Sequence, residues 1–212
     1  ARTALVLSRF LRLHHAIAEA EALDEATLAT AIGSGDRDLE AQALIALAGD
    51  AFCSGRFEVS YRFDRDAAEI LSETGDAEAL GRTLHNLGAI TTLLRRFDEA
   101  DEYLVRSESI LKRIDDRRGL GWVAFRRGFR SSAIGDLAAS ERYFVESLEL
   151  RRVADDRSGL ASSLVSLATV HTRRGNFREA ALLLADCLQM SRTHGFTLRV
   201  VEASERLAHV AF

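Results

Sequence analysis

The side chains in this 212-residue chain with the types and spacing to do chemistry are aromatic and cationic, and their chemistry is recognition. Trp122, Phe125 and Phe129 stand at i, i+3 and i+7, the spacing that lines up one face of a helix, with Arg126 among them. Exposed on a surface, such a stripe would supply large apolar anchors, and a neighbouring guanidinium would receive an acidic group of a partner. The same spacing also fits an inner face buried by a neighbouring helix, and periodicity admits both readings.

Signatures of catalysis dissolve when their context is read. Gly119-Leu-Gly121-Trp-Val-Ala124 fits the G-x-G-x-x-G/A pattern of dinucleotide sites, but no strand precedes it to aim a phosphate at the turn. Ser109-Ile-Leu-Lys112 matches S-x-x-K without the companion motifs that acyl transfer requires. His14, His15, His85, His171, His194 and His209 never meet cysteines or carboxylates at zinc-ligand spacing. The sequence thus predicts no catalytic residues, no cofactor, no metal and no enzyme.

The elements that position the aromatic stripe follow from a period. Leu44, Leu84 and Leu164 recur in step, as do Phe57, Phe97, Leu137 and Phe177. Ala48, Gly88, Gly128, Ala168 and Ala208 mark one small-residue position, always forty residues apart. Self-similarity at such a period means stacked units that bury their apolar faces on one another. Within one unit, Leu84, Leu87, Gly88 and Thr91 share a face of a first helix, and a second runs from about Phe97 to Arg113. Asp36, Asp76, Asp116 and Asp156 are the expected N-caps of the first helices. Gly88, Gly128 and Ala168 should face Ala100, Ser140 and Ala180, allowing close helix approach. The register predicts one domain over 1–212, with helix pairs at about 1–34, 35–74, 75–114, 115–154 and 155–194 and a terminal helix over 195–212.

Composition fits this all-α reading: 47% hydrophobic and 28% charged residues with no proline. The net charge of −4 is spread along the chain, which argues against a nucleic-acid-binding face or a basic membrane-surface helix. No apolar run approaches the roughly 18 to 20 residues of a membrane span. Cys53 and Cys187 lie far apart in repeat order, consistent with a reducing, cytoplasmic setting. Both ends read as cut from something longer, because solenoids close with polar caps.

The Leu-x-x-Leu-Gly/Ala pattern (Leu84, Leu87, Gly88; Leu164, Leu167, Ala168), followed by Phe97 with Ala100 and Phe177 with Ala180, resembles tetratricopeptide repeats over nearly the whole chain. The forty-residue unit, with junctions Asp115-Asp116-Arg117-Arg118-Gly119-Leu120 and Asp155-Asp156-Arg157-Ser158-Gly159-Leu160, is similar to the C-terminal arrays of large bacterial ATP-dependent transcriptional regulators of the LuxR and antibiotic-regulatory kinds. It departs from the family in lacking the usual proline near the end of the second helix. Arg127 also stands where Leu87 and Leu167 stand, so it must snorkel, pair with a carboxylate or sit on a locally rotated helix.

The resemblance implies an α-solenoid of antiparallel helix pairs coiled into a right-handed superhelix, whose concave groove takes a peptide or partner protein. It implies a sensor or scaffold in a larger regulator, with a small-ligand sensor and a nucleic-acid-binding repeat as the alternatives. The open ends of such an array also offer self-association. The groove positions would be Gln42 and Ile45; Arg82, His85 and Ala89; Trp122, Phe125, Arg126 and Phe129; Ser162, Val165 and Thr169; and Glu202 and Glu205. An aromatic, basic middle and an acidic end would favour a partner with apolar and acidic groups.

Overall fold

The computed structural model describes residues 2–13 and 16–211, and the described residues form eleven helices and no strand. In chain order these are α1 (Arg2–Leu13), α2 (Ile17–Ser34), α3 (Arg37–Cys53), α4 (Phe57–Thr74), α5 (Ala77–Leu93) and α6 (Phe97–Arg113). They continue as α7 (Arg117–Ala133), α8 (Leu137–Val153), α9 (Arg157–Arg173), α10 (Phe177–His194) and α11 (Thr197–Ala211). The second helix expected from about Phe97 to Arg113 is α6. His14 and His15 lie outside the described residues.

Two local devices set the lengths of these helices. Asp36, Asp76, Asp116 and Asp156 each accept from the amide three residues on, at 3.0, 2.9, 2.9 and 3.0 Å, and so cap α3, α5, α7 and α9 as the register requires. Asp136 caps α8 in the same way. Between helices, the chain enters the left-handed backbone region at positions twenty apart: glycine at 35, 55, 75, 135, 175 and 195, and Arg95, Asp115 and Asp155 at the other three.

The chain forms two compact units, residues 1–110 and 111–212. In the first, Ala41 and Leu44 of α3 pack on Ala67, Ile70 and Leu71 of α4. Arg12 of α1 brackets two buried carboxylates: its Nε donates to Asp50 at 2.6 Å and another of its nitrogens donates to Asp24. Burial raises the Asp24 carboxyl above its ordinary value, against the opposing pull of Ser8 and Arg12. The second unit packs Phe144 and Leu148 of α8 with Leu164, Val165, Leu167 and Ala168 of α9 and Leu184 of α10.

The small residues of the first helices govern how closely the pairs approach. A Cβ at Gly88 would stand 2.7 Å from Leu104, and one at Gly128 would stand 2.7 Å from the Phe144 ring. The Gly88 position also meets the Ala100 carbonyl, and Ser140 Oγ donates to the Gly128 carbonyl at 2.8 Å, so these two expected pairs are in contact. By register, the position sixteen residues later takes what the small residue leaves room for: Ala48 with Asp64, Gly88 with Leu104, Gly128 with Phe144, Ala168 with Leu184. Ser107, Ser147 and Cys187 then tie each second helix to the Gly81, Gly121 and Ala161 carbonyls of the first.

Candidate functional site

The second unit assembles an aromatic and cationic cluster on α7 and α8. Helical spacing puts Trp122, Phe125 and Arg126 on adjoining turns of α7, and the Trp122 and Phe125 rings meet edge to face at 5.7 Å. Phe125 leans inward onto the buried Phe144 ring at 5.5 Å and packs against the core, whereas Phe129, one turn on, is 39% exposed. The alternatives left by the sequence therefore divide along one stripe: Phe125 is largely core and Phe129 is surface. Arg126 lies with its guanidinium carbon 5.3 Å from the Trp122 ring centroid and 5.8 Å from that of Phe125.

Behind this face sits a residue that the sequence analysis of first helices passes over. Arg151 of α8 has no solvent exposure, and its guanidinium stacks on Trp122 at 4.1 Å and lies 5.0 Å from the Phe125 centroid. Leu71 and Leu111, both buried, occupy the same register in the two preceding repeats, so an arginine has replaced a core leucine. Two glycines make the room: a Cβ at Gly121 would meet Arg151 Cγ at 2.9 Å, and one at Gly159 would meet its terminal nitrogen at 2.4 Å. The G-x-G stretch that mimics a dinucleotide motif thus has a packing role, since Gly119 in turn clears Leu111 and the Asp116 carboxylate.

None of the three Arg151 nitrogens has a hydrogen-bond partner in the structure, and neither does Arg126 Nε. Burial brings both guanidinium groups down to about 10; for Arg151 the pull of Asp156 opposes this, and the like charges of Arg126 and Arg118 add to it. Arg126 keeps some surface in contact with solvent, yet it is crowded on enough sides to be desolvated. The one carboxylate that acts on Arg151, Asp156, caps α9 through Oδ1, which lies 3.8 Å from the exposed Arg118, while its buried Oδ2 sits near Arg151 without a hydrogen-bond partner. Positive charge at this place exceeds negative charge.

The remaining predicted positions are placed differently. On α9, Val165 and Ser162 are buried, Val165 in the same core that Phe125 packs against. Thr169 is partly exposed and accepts from Arg206 of α11 at 2.8 Å, at the edge of a cavity of about 160 Å³ that Ala168, Arg173 and His209 also line. Glu202 pairs with Arg199 and Arg206 on its own helix, and Glu205 is exposed. In the first unit, Gln42 is exposed, and Arg82 pairs with Glu78 at 2.8 Å beside a cavity of about 370 Å³ that Ile45 and Asn86 line. His85 and Ala89 are buried there. Arg127 is partly buried, its guanidinium carbon 5.8 Å from the Tyr143 ring centroid, so the aromatic ring and partial exposure accommodate it where Leu87 and Leu167 are core. Among the described residues, no group of three or more His, Cys, Asp or Glu side chains is placed to hold a metal, and no helix is long and apolar enough to cross a membrane. Cys53 and Cys187 are both free thiols.

Comparison with known proteins agrees with the repeat geometry. The tetratricopeptide repeat profile matches residues 39–113 and 131–193. No curated protein matches the chain by sequence. Among solved structures, a Rap protein complexed with competence and sporulation factor superposes with a TM-score of 0.86 at 10% identity, over 94% of this chain and 56% of that one. BtubC from P. vanneervenii gives 0.73 at 20% identity over 92% and 80%. A signal transduction ATPase with numerous domains and a tetratricopeptide repeat sensor, from Pyrococcus horikoshii, gives 0.75 at 14% identity over 98% of this chain and 32% of that one. The chain therefore spans about half of the Rap protein and a third of the ATPase. With repeats that match the profile on either side of α7 and eleven helices in the corresponding arrangement, the chain belongs to the tetratricopeptide repeat family.

Proposed function

We propose that residues 1–212 act as one protein- or peptide-binding repeat domain, the effector-interaction region of a larger bacterial regulator working in the cytoplasm, and not as an enzyme. The observation that carries this reading is the α7 face, where exposed Phe129 lies one turn beyond Arg126, which packs against Trp122. Tetratricopeptide repeats are in general interaction modules, and two proteins similar in fold point the same way: the Rap protein is complexed with competence and sporulation factor, and the ATPase carries its repeats as a sensor. The apolar surface supplies affinity and the arginines orient a partner that bears apolar and acidic groups.

Selection of peptides from a displayed random library on the immobilised chain tests this. Enriched peptides should place an aromatic or aliphatic residue beside Asp or Glu, and Phe129→Ala should weaken their binding by about 2 kcal/mol with an unchanged unfolding midpoint. Phe125→Ala should unfold the second unit more readily, because that ring is packed on Phe144. Failure to enrich any peptide, or affinity indifferent to Phe129→Ala, would overturn the reading.

A further inference from the structure

We infer that Arg126 and Arg151 form an oxyanion-binding subsite, in which Arg126 contacts a carboxylate or phosphate group of the ligand and Arg151 supplies a buried positive charge behind it. The inference deepens the interaction-module reading by naming the group recognised, and rests on that reading only for the source of the anion.

A guanidinium removed from water without an acceptor is costly, and folded proteins normally meet such a charge with a counter-ion and hydrogen bonds. Arg151 has a counter-ion but no hydrogen bond: all three of its nitrogens lack partners, and neighbouring Asp156 gives Oδ1 to the α9 amide and leaves Oδ2 without a hydrogen bond as well. The fold nevertheless goes out of its way to keep it, clearing space at Gly121 and Gly159 and covering one guanidinium face with Trp122. Stacking blocks that face and leaves the edge, whose planar fork matches the paired oxygens of a carboxylate or phosphate. Arg126 also lies against the Trp122 ring, 5.3 Å from its centroid, retains solvent contact and is electrostatically coupled to Arg151. An anion seated on Arg126 therefore feels both charges in a desolvated, aromatic setting, where Coulomb attraction is stronger than in water. Leu71, Leu111 and the small Ser191 fill the same register in the other repeats without any charge, so the fold itself does not require one here.

Trp122 is the only tryptophan of the chain, so its fluorescence reports on this subsite alone. The whole chain is titrated with inorganic phosphate and, separately, with acetylated and amidated hexaglutamate, sodium chloride holding the ionic strength constant. At least one probe should change the Trp122 emission saturably. A response to hexaglutamate identifies a carboxylate subsite, a response to phosphate alone identifies a phosphate subsite, and either supports the inference. Arg126→Gln should weaken the responding probe by about tenfold to a hundredfold, the loss expected for a charged hydrogen bond. Arg151→Met should weaken it less and raise the anion-free melting temperature, because an apolar side chain then fills the buried site. If neither probe shifts the emission, or if Arg126→Gln binds as tightly as the parent, the subsite does not exist. A melting temperature lowered by Arg151→Met would show the buried charge to be structural and overturn its role. Since these titrations use no selected peptide, they succeed or fail independently of the library selection.

Discussion

Replacing Asp64 by Asn should make the chain more stable at neutral pH, by an amount that grows with pH. Asp64 of α4 is 2% exposed, its Oδ1 has no hydrogen-bond partner, and burial alone pushes its carboxyl up to about 8 from an ordinary 3.8. By register it matches the buried Asp24, which has Arg12 as its partner, and then Leu104, Phe144 and Leu184, all buried apolar side chains. Because the folded-state value is raised, the folded chain keeps a proton that the unfolded chain has released throughout the window from about 4 to about 8. Asp64 thus leaves the fold undisturbed below about pH 4, erodes its stability as pH rises through that window, and adds no further pH dependence above about 8.

The size follows from about 1.4 kcal/mol per pH unit, which gives a loss of about 3 kcal/mol between about pH 5 and pH 7. The asparagine side chain has nearly the same shape and no such dependence. Urea denaturation of both chains at the two pH values isolates the effect, because every other carboxylate titrates alike in parent and variant and cancels in their difference. The variant's advantage should increase by about 3 kcal/mol between the two conditions. A difference that stays constant with pH would show that Asp64 ionises normally in the fold, and one that shrinks would show that it is paired as a carboxylate; either refutes the argument.

Two further outcomes test the packing. Gly128→Ala should cost about 1–3 kcal/mol in urea denaturation, since the new Cβ runs into a buried ring, and Phe144→Leu in the same chain should recover part of it, as the Ala168 and Leu184 pair coexists in the next repeat. Arg12→Met should cost about 3–5 kcal/mol by the same assay, because it leaves the buried Asp24 and Asp50 carboxylates without their shared cation; a loss below about 1 kcal/mol would show the bracket to be dispensable.

The helix pairs, their aspartate caps and the small residues that let them approach were legible because each depends on local sequence and recurs at one period. The groove was less legible, for a geometric reason. A first helix touches its own second helix and also first helices of neighbouring repeats, as α9 does with α7 and α11, so it buries more than one face. Rotating away from a single apolar stripe then lands partly on another buried face, which is where His85, Ser162 and Val165 are found. Gln42, Arg82 and Phe129 lie far enough round to reach solvent. Arg127 shows that a charged residue in a core register can adapt at the edge of the core beside Tyr143, so its anomaly carried less than it promised. The more telling anomaly lay in a second helix, where comparing position 151 with Leu71 and Leu111 by the same forty-residue register marks it plainly.

Asp64 and Arg151 both stand where neighbouring repeats carry buried Leu or Phe, and acid–base chemistry separates what each means. A buried carboxyl shifted to about 8 is mostly protonated at neutral pH, so Asp64 removes its own charge and requires no counter-ion from outside. A guanidinium shifted to about 10 is still protonated at neutral pH, so Arg151 has no such escape. Asp64 requires only a small neighbour, and by register Ala48 is there. Arg151 has its space from Gly121 and Gly159 and its aromatic cover from Trp122, but lacks acceptors for its hydrogen-bond donors. Asp156 offsets part of the Arg151 charge without hydrogen-bonding to it, and the solvent-contacting Arg126 beside the same Trp122 ring is where the proposed anion would add to it.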